Sequence, residues 1–347
     1  MGKFTNIVYD FWDKWCCYRY VDPIFSFAKL CLLTGASLTT GGIGWALTAL
    51  IPKLNLPVTV EFGPQQPISL GAVLIAFGIG LGVWRIRTGS SKVGCFLIDH
   101  RGMPGMELGD PGKNLPGRYK TGEVRQIHID YSADKDDVLR KIDTLNERLK
   151  QDLTNGVNGN AELVYAGLAP IPFLFYAGKV ISSRKKCKMI LEWDRHSGRW
   201  CDPDRPRQNL SFVIEKPTGH VTKNLAIAMP LSVEFGVEQI TSAVNKMPVM
   251  WLRLPSGASQ DSLSSKHDQQ VLAKEFYDTL AGLRKSYPEL QWVHLFIAAQ
   301  ASFVFCLGQQ YSQTVHCPVS IYSFNATENK YDWRLAVGGD VKIESLT

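Results

Sequence analysis

The 347-residue sequence lacks the cysteine and charge patterns that identify several common protein classes. Its eight cysteines include no Cys-x-x-Cys pair, and no histidine–cysteine neighbours have the second pair of ligands that a structural zinc site needs. We therefore expect reduced cysteines of a cytosolic domain and no metal site. The formal net charge of +6 is too small for a protein that coats DNA, but it permits a phosphate-bearing ligand or a membrane surface as partner.

The motifs of hydrolases and nucleotide-driven enzymes are also absent. The sequence has no Gly-x-Ser-x-Gly, no P-loop, no His-Glu-x-x-His and no paired acidic motif of a nuclease. The run GIGLG lies inside a long apolar segment, so its context excludes a dinucleotide-binding loop. We predict a protein with no catalytic residues and no cofactor.

Two long runs in the N-terminal part of the chain contain no charged residue. The first is LCLLTGASLTTGGIGWALTALI at 30–51, and the second is PISLGAVLIAFGIGLGVW at 67–84. As helices they would be roughly 27–33 Å long, which is close to the hydrocarbon thickness of a bilayer. The sequence therefore predicts a two-helix transmembrane region at 30–89. A buried hairpin of a soluble domain is the alternative.

Basic residues flank the two runs on one side. Lys14 and Arg19 precede the first run and Arg85 follows the second, whereas the loop between the runs has Lys53 as its only cation. The positive-inside rule then places both termini in the cytoplasm. The aromatic, mixed-charge segment within 1–29 is typical of an interfacial helix on the inner leaflet.

Two segments of the remaining chain repeat each other. AGLAPIPFLFYAGKVISSRKKCK at 166–188 aligns without a gap with FIAAQASFVFCLGQQYSQTVHCP at 296–318. Six of the 23 aligned positions are identical, against about one or two expected from average composition. We infer an internal duplication, with convergent core patterning as the alternative. The identical pairs are Ala169/Ala299, Phe173/Phe303, Phe175/Phe305, Gly178/Gly308, Ser182/Ser312 and Cys187/Cys317.

Strands alternate with helices through both copies, which predicts an α/β fold of two Rossmann-like halves with largely parallel sheets. We place the first half at 118–210 and the second at 211–347. A segment rich in glycine and proline at 90–117 would lead into the first half as a linker or an ordered loop.

The duplication also suggests a kind of ligand. Parallel sheets bind ligands beyond the carboxyl ends of their strands, where helix N-termini offer N–H groups to anions. Two such halves suit a ligand that is itself doubled or cyclic, with phosphates spaced around a ring. A cap, turn or core role is the alternative for each candidate at these strand ends and helix starts. The candidates are Ser132, Tyr165, Gly167, Pro170, Ser232, Phe235, Ser256, Ser259, Lys266, Gln300 and Ser302.

The C-terminal run HLFIAAQASFVFCLGQQYS, followed by VSIYSF and KYDWRLAV, resembles the closing signature of the SAVED domain. That domain is a fusion of two CARF-like halves that senses cyclic oligonucleotides in bacterial antiphage systems. The resemblance covers 118–340 and is most specific at 294–336. With two predicted spans in front, the chain is similar to the two-transmembrane SAVED effectors of CBASS immunity.

The resemblance implies an activating ligand, a cyclic di-, tri- or tetranucleotide, made by a partner nucleotidyltransferase that need not bind this chain. It further implies antiviral defence by a non-enzymatic, multi-pass protein of the bacterial inner membrane. Ligand binding would stack SAVED domains head to tail into oligomers or filaments, and the clustered helices would disrupt the lipid bilayer. The alternative is a membrane-tethered phosphodiesterase that degrades the cyclic nucleotide.

Overall fold

The computed structural model describes residues 28, 31–32, 66–88, 94–116, 119, 124–154, 161–182 and 187–346. The chain divides into two compact units, 1–91 and 92–347. All of the strands named below belong to the second unit.

The first unit contains one long described helix, α1, at Gln66–Thr88. A Cβ at Gly78 would lie 2.9 Å from the carbonyl oxygen of Ala28, so α1 approaches the backbone of the preceding segment closely at this glycine. Within the described residues, no helix has both the length and the apolar character that crossing a membrane requires. The spans at 30–51 and 67–84 stay predictions of the sequence. Apart from Ala28, Cys31 and Leu32, residues 1–51 lie outside the described part of the chain.

The first sheet of the second unit has five strands. They are β1 Cys95–Arg101, β2 Val124–Asp130, β3 Glu162–Leu168, β4 Met189–Asp194 and β5 Arg199–Cys201. Their order is β2-β1-β3-β4-β5, and all neighbours are parallel except β4 and β5.

Strand β1 lies within 90–117, which the sequence pattern assigned to an entry segment. It pairs with both β2 and β3 along its whole length, so the first half of the fold begins at about Cys95. The buried polar residues Asp99 and His100 interrupt its apolar run, and this is why the sequence pattern concealed a central strand.

The second sheet has seven strands. They are β6 Val213–Glu215, β7 Asn224–Pro230, β8 Val249–Arg253, β9 Trp292–Ala298, β10 Val319–Asn325, β11 Lys330–Val337 and β12 Val341–Ser345. Their order is β12-β11-β10-β9-β7-β8-β6. The central strands β10, β9, β7 and β8 are parallel, and the outer strands are antiparallel to their neighbours. The prediction of an α/β fold with largely parallel sheets is confirmed.

Five α-helices lie in the described part of the second unit. They are α2 Lys135–Thr154, α3 Ile171–Ser182, α4 Val237–Val244, α5 Lys266–Ser286 and α6 Ala301–Gln310. Helix α5 begins where Ser265 caps it, since the Ser265 hydroxyl accepts a hydrogen bond from the Asp268 N–H at 3.4 Å.

The two sheets repeat one topology. The order β2-β1-β3-β4-β5 corresponds to β8-β7-β9-β10-β11, as an internal duplication predicts. The corresponding pairs β3/β9, α3/α6 and β4/β10 each begin 130 residues apart. The gapless sequence repeat is therefore also a structural repeat.

Helices α3 and α6 join the two halves. Gly178 lies against the carbonyl oxygen of Phe305, and Gly308 lies reciprocally against that of Phe175. Any Cβ at either glycine would overlap the facing backbone. The four residues form two of the identical pairs in the repeat, so the duplication preserved the residues that let these helices pack closely.

Candidate ligand-binding site

Loops at the carboxyl ends of β7, β8 and β9 meet at one edge of the second sheet. The Ser259 N–H donates to the Leu231 carbonyl at 3.1 Å, and the Ala258 N–H donates to the Glu234 carboxylate at 3.3 Å. The Gln300 side-chain amide donates to the Gln260 carbonyl at 3.0 Å. We call residues 231–236, 254–260 and 299–300 the carboxyl-edge rim.

Five of the predicted ligand-binding residues lie in this rim. Ser256 and Ser259 are exposed, while Ser232, Phe235 and Gln300 are half-buried. The side-chain oxygen of Gln300 has no hydrogen-bond partner within the described part of the chain. The rim therefore offers exposed hydroxyls to a polar ligand, and Gln300 adds a buried amide oxygen without a described partner. Its neighbouring cation, Arg253 of β8, is already paired with Glu234 at 2.9 Å and Glu215 at 3.4 Å.

The N-terminus of α6, predicted as an anion site, already holds a carboxylate of the protein. The Ser302 N–H donates to Glu192 Oε2 at 2.8 Å. Burial raises the pKa of Glu192, and hydrogen bonds from Ser302 and Ala301 oppose that rise. The buried Ser302 hydroxyl accepts a hydrogen bond from the Gln269 amide at 2.8 Å. Ser302 therefore stabilises the packing of α6, and its buried polar groups are not accessible to a ligand.

Tyr165 and Gly167 lie in the core between the two halves. The fully buried Tyr165 hydroxyl is hydrogen-bonded to Nδ1 of His100 at 2.7 Å, and its ring stacks on Phe305 at 3.8 Å between centroids. A Cβ at Gly167 would lie 2.5 Å from the Tyr165 ring, so this glycine makes room for the tyrosine. The structure gives both residues internal contacts rather than access to a ligand.

The remaining candidates of the first half follow β2 and β3. Ser132 is half-buried and hydrogen-bonded to Asp137. The pKa of Asp137 is lowered mainly by its hydrogen bond with Lys141, and the hydrogen bond with Ser132 lowers it further. Pro170 is half-buried, and its carbonyl accepts the Phe173 N–H at 3.0 Å in the first turn of α3. These contacts are local, and they tie both residues to their own half of the fold rather than to the rim.

Lys266 lines a different feature, a cavity of about 390 Å³ beside α5, which we call the lysine cavity. The Lys266 Nζ donates a hydrogen bond to the Lys188 carbonyl at 3.0 Å, and this contact ties α5 to the start of β4. No sequence pattern singled out the glutamines of this cavity. The lining residues are Cys187, Lys188, Ile190, Pro203, Lys266, Gln269, Gln270, Ala273, Lys274, Tyr277, Cys306, Gln309 and Gln310.

A polar cluster that the sequence did not reveal joins β1 to β2. The fully buried Asp99 carboxylate accepts from Arg101 at 2.8 Å and from Gln126 at 3.1 Å, and His128 Nδ1 lies 3.4 Å away. These partners satisfy a buried charge, which is a structural role. Across the residues described, no group of three or more His, Cys, Asp or Glu side chains is arranged to hold a metal ion.

The fold and rim define an α/β protein with two Rossmann-like halves and polar loops at one strand edge. The family model of the SAVED domain, described as the "SMODS-associated and fused to various effectors sensor domain", matches residues 142–337, more than half of the chain. The chain belongs to the SAVED family. A comparison with curated proteins found no match.

Solved structures of the Acinetobacter baumannii Cap4 SAVED/CARF-domain containing receptor are similar at 13% identity. The receptor with 2'3'3'-cAAA has a TM-score of 0.47, with 86% of this chain and 66% of that chain covered. A second structure of the receptor has a TM-score of 0.44 and coverages of 86% and 64%. The receptor with 3'3'3'-cAAA has a TM-score of 0.46 and coverages of 91% and 77%. This chain thus spans just under two thirds of the first two chains.

Proposed function

We propose that this protein senses a cyclic oligonucleotide, which binds at the carboxyl-edge rim. The observation that carries the proposal is the match of a sensor-domain family to 142–337, which includes the loops of the rim. Binding beyond the carboxyl ends of parallel strands is also the general behaviour of open α/β sheets.

The chemistry of the rim supports a phosphate-bearing ligand. The hydroxyls of Ser256 and Ser259 are exposed and can donate to phosphate oxygens, while Gln300 offers an amide to a base. Hydrogen bonds from Ser259 to Leu231 and from Gln300 to Gln260 fix the loops, so little ordering is needed on binding.

Calorimetry with the whole chain tests this proposal. We expect one member of a panel of cyclic di-, tri- and tetranucleotides, including the two named for the Cap4 receptor, to bind with a saturable isotherm. The Gln300→Ala variant should bind it about fivefold more weakly, because one hydrogen bond is worth about 1 kcal/mol. Gln291→Ala, an exposed glutamine outside the rim, is the matched control and should leave the affinity unchanged. Absence of binding to every member would refute the proposal.

The alternative, a phosphodiesterase, needs an activated nucleophile or general base near a scissile phosphate. The exposed serines of the rim have no histidine among their described hydrogen-bond partners, which favours sensing without cleavage. Mass spectrometry of the bound nucleotide after long incubation distinguishes the two. Linear product in excess over the protein would establish the enzyme.

The proposed output is association in a membrane. We propose that ligand-bound SAVED domains stack head to tail and that the segment 30–89 holds the protein in the inner membrane, where clustering disrupts the bilayer. A head-to-tail contact is heterologous and need not close, so it can extend into filaments. Support comes from the uncharged runs at 30–51 and 67–84.

Sedimentation and vesicle leakage test this output on the whole chain. The cyclic nucleotide should at least double the sedimenting mass and release dye from vesicles of bacterial lipid. At a ligand concentration just sufficient to saturate the natural protein, the Gln300→Ala variant should show a smaller rise in sedimenting mass and less dye release. Tight binding with no change in mass would rule out association as the output, and sensing itself would still stand.

A further inference from the structure

The lysine cavity has the size and position of a binding site separate from the rim. It lies between the N-terminal half of α5, the C-terminal end of α6 and the start of β4. Its volume of about 390 Å³ is at the lower end of the range for small-molecule pockets. That space suits one nucleotide rather than a ring of three.

The charge of the cavity favours an anion. Lys188, Lys266 and Lys274 line it, and no carboxylate is among its described lining residues. Lys274 is paired with Asp278 at 2.9 Å, outside the lining. Lys266 is held in place by the Lys188 carbonyl at 3.0 Å, a contact that orients its ammonium group without neutralising it. Lys188 and Lys266 line this cavity with no carboxylate among its described lining residues, so a phosphate bound there would lower the electrostatic energy.

The rest of the wall is suited to a planar, hydrogen-bonding group. Gln270, Gln309 and Gln310 bring side-chain amides with both donors and acceptors. Tyr277 brings an aromatic ring, which packs edge-on against His316 at 4.7 Å between centroids. Stacking on an aromatic ring and hydrogen bonding to amides are the two ways in which proteins hold an unpaired base.

The buried part of the cavity wall does not compete with a ligand for the lysines. Cys187 and Cys306 are buried there, and burial raises the pKa of the Cys187 thiol to about 12. The thiol is therefore neutral at physiological pH, and the positive charge of the lysines is left for a ligand.

We propose that the lysine cavity binds a nucleoside monophosphate, with its phosphate on Lys188 and Lys266 and its base beside Tyr277 and the glutamines. This site is separate from the rim, and its occupancy does not depend on the function proposed for the rim.

Calorimetry of the whole chain with adenosine monophosphate and inorganic phosphate as probes tests the cavity. Adenosine monophosphate should bind at one site per chain and more tightly than phosphate, which should compete with it. The double variant Lys188→Gln/Lys266→Gln should weaken that binding at least tenfold. Lys285→Gln, an exposed lysine later on the same helix, is the matched control and should bind as the natural protein does. Thermal melting should show that both variants are still folded at the temperature of the titration.

Four results would overturn the proposal. The first is an absence of saturable binding, and the second is binding that the double variant leaves intact. The third is a double variant that binds neither adenosine monophosphate nor the cyclic nucleotide, while the Gln300→Ala variant binds both normally. That result would assign the cavity to the cyclic ligand and remove the separate site. Adenosine monophosphate binding no tighter than phosphate would overturn the assignment to a nucleotide.

Discussion

Replacing Gly308 by alanine should destabilise the unit at 92–347 by about 3 kcal/mol, the upper end of what overpacking a core costs. The added Cβ overlaps the carbonyl oxygen of Phe175, and a backbone atom in the facing helix cannot rotate away as a side chain can. Gly178→Ala should cost a similar amount, because its Cβ meets the carbonyl of Phe305 in the same way. Chemical denaturation followed by tryptophan fluorescence measures both effects.

Gly282→Ala is the matched control for this prediction. Gly282 is an exposed residue in α5, and a Cβ there meets no atom within 4 Å. Because alanine forms helix better than glycine, this variant should gain about 1 kcal/mol. If Gly308→Ala and Gly282→Ala proved equally harmless, the close packing of α3 on α6 would be incorrect.

Acid should destabilise the protein well before its exposed carboxylates are protonated. Burial lowers the pKa of His100 to about 3, whereas an unfolded histidine keeps a value near 6.5. Between these values the unfolded state binds a proton that the folded state does not, so stability falls as the pH falls through this window. From pH 6.5 to 4.5 this one residue removes about 2 kcal/mol.

Two further histidines act in the same direction. Burial lowers the pKa of His294 and of His316 to about 4, and the neighbouring arginines add to this effect. Denaturation at pH 7.0 and 4.5 tests the prediction. The His100→Gln variant should reduce the acid-induced loss of unfolding free energy by about 2–3 kcal/mol. The control is His220→Gln, which replaces an exposed histidine and should leave that loss unchanged. A pH dependence unaffected by His100→Gln would show that this histidine is accessible to protons in the folded protein.

The position of Glu192 changes where a ligand is expected. A free helix N-terminus attracts phosphate, but the first turn of α6 already bonds to this internal carboxylate across 110 residues of sequence. The repeat does not reveal the contact, because position 322, which corresponds to Glu192, holds a tyrosine. The proposed ligand site is therefore limited to the rim, with Ser256, Ser259 and Gln300 as its exposed or half-buried polar groups.

The sequence by itself determined the alternation of strands and helices, the largely parallel sheets and the repeat with its period of 130 residues. Those properties are local or periodic, since hydrophobic period and a gapless self-alignment need no knowledge of distant contacts. The glycines at 178 and 308 were visible as repeated residues, but their function required seeing each one against the backbone of the other helix.

Only the tertiary structure decided which polar residues are accessible. Tyr165 and Ser302 lie near strand and helix ends, as Ser259 does. Both are nevertheless buried, because Tyr165 is hydrogen-bonded to His100, 65 residues away, and Ser302 to Gln269, 33 residues away. Strand β1 became central because β2 and β3 pair with it on both sides, although two of its residues are charged or polar and buried. The lysine cavity joins residues from β4, α5 and α6, and such long-range contacts arise from packing that a one-dimensional pattern does not contain.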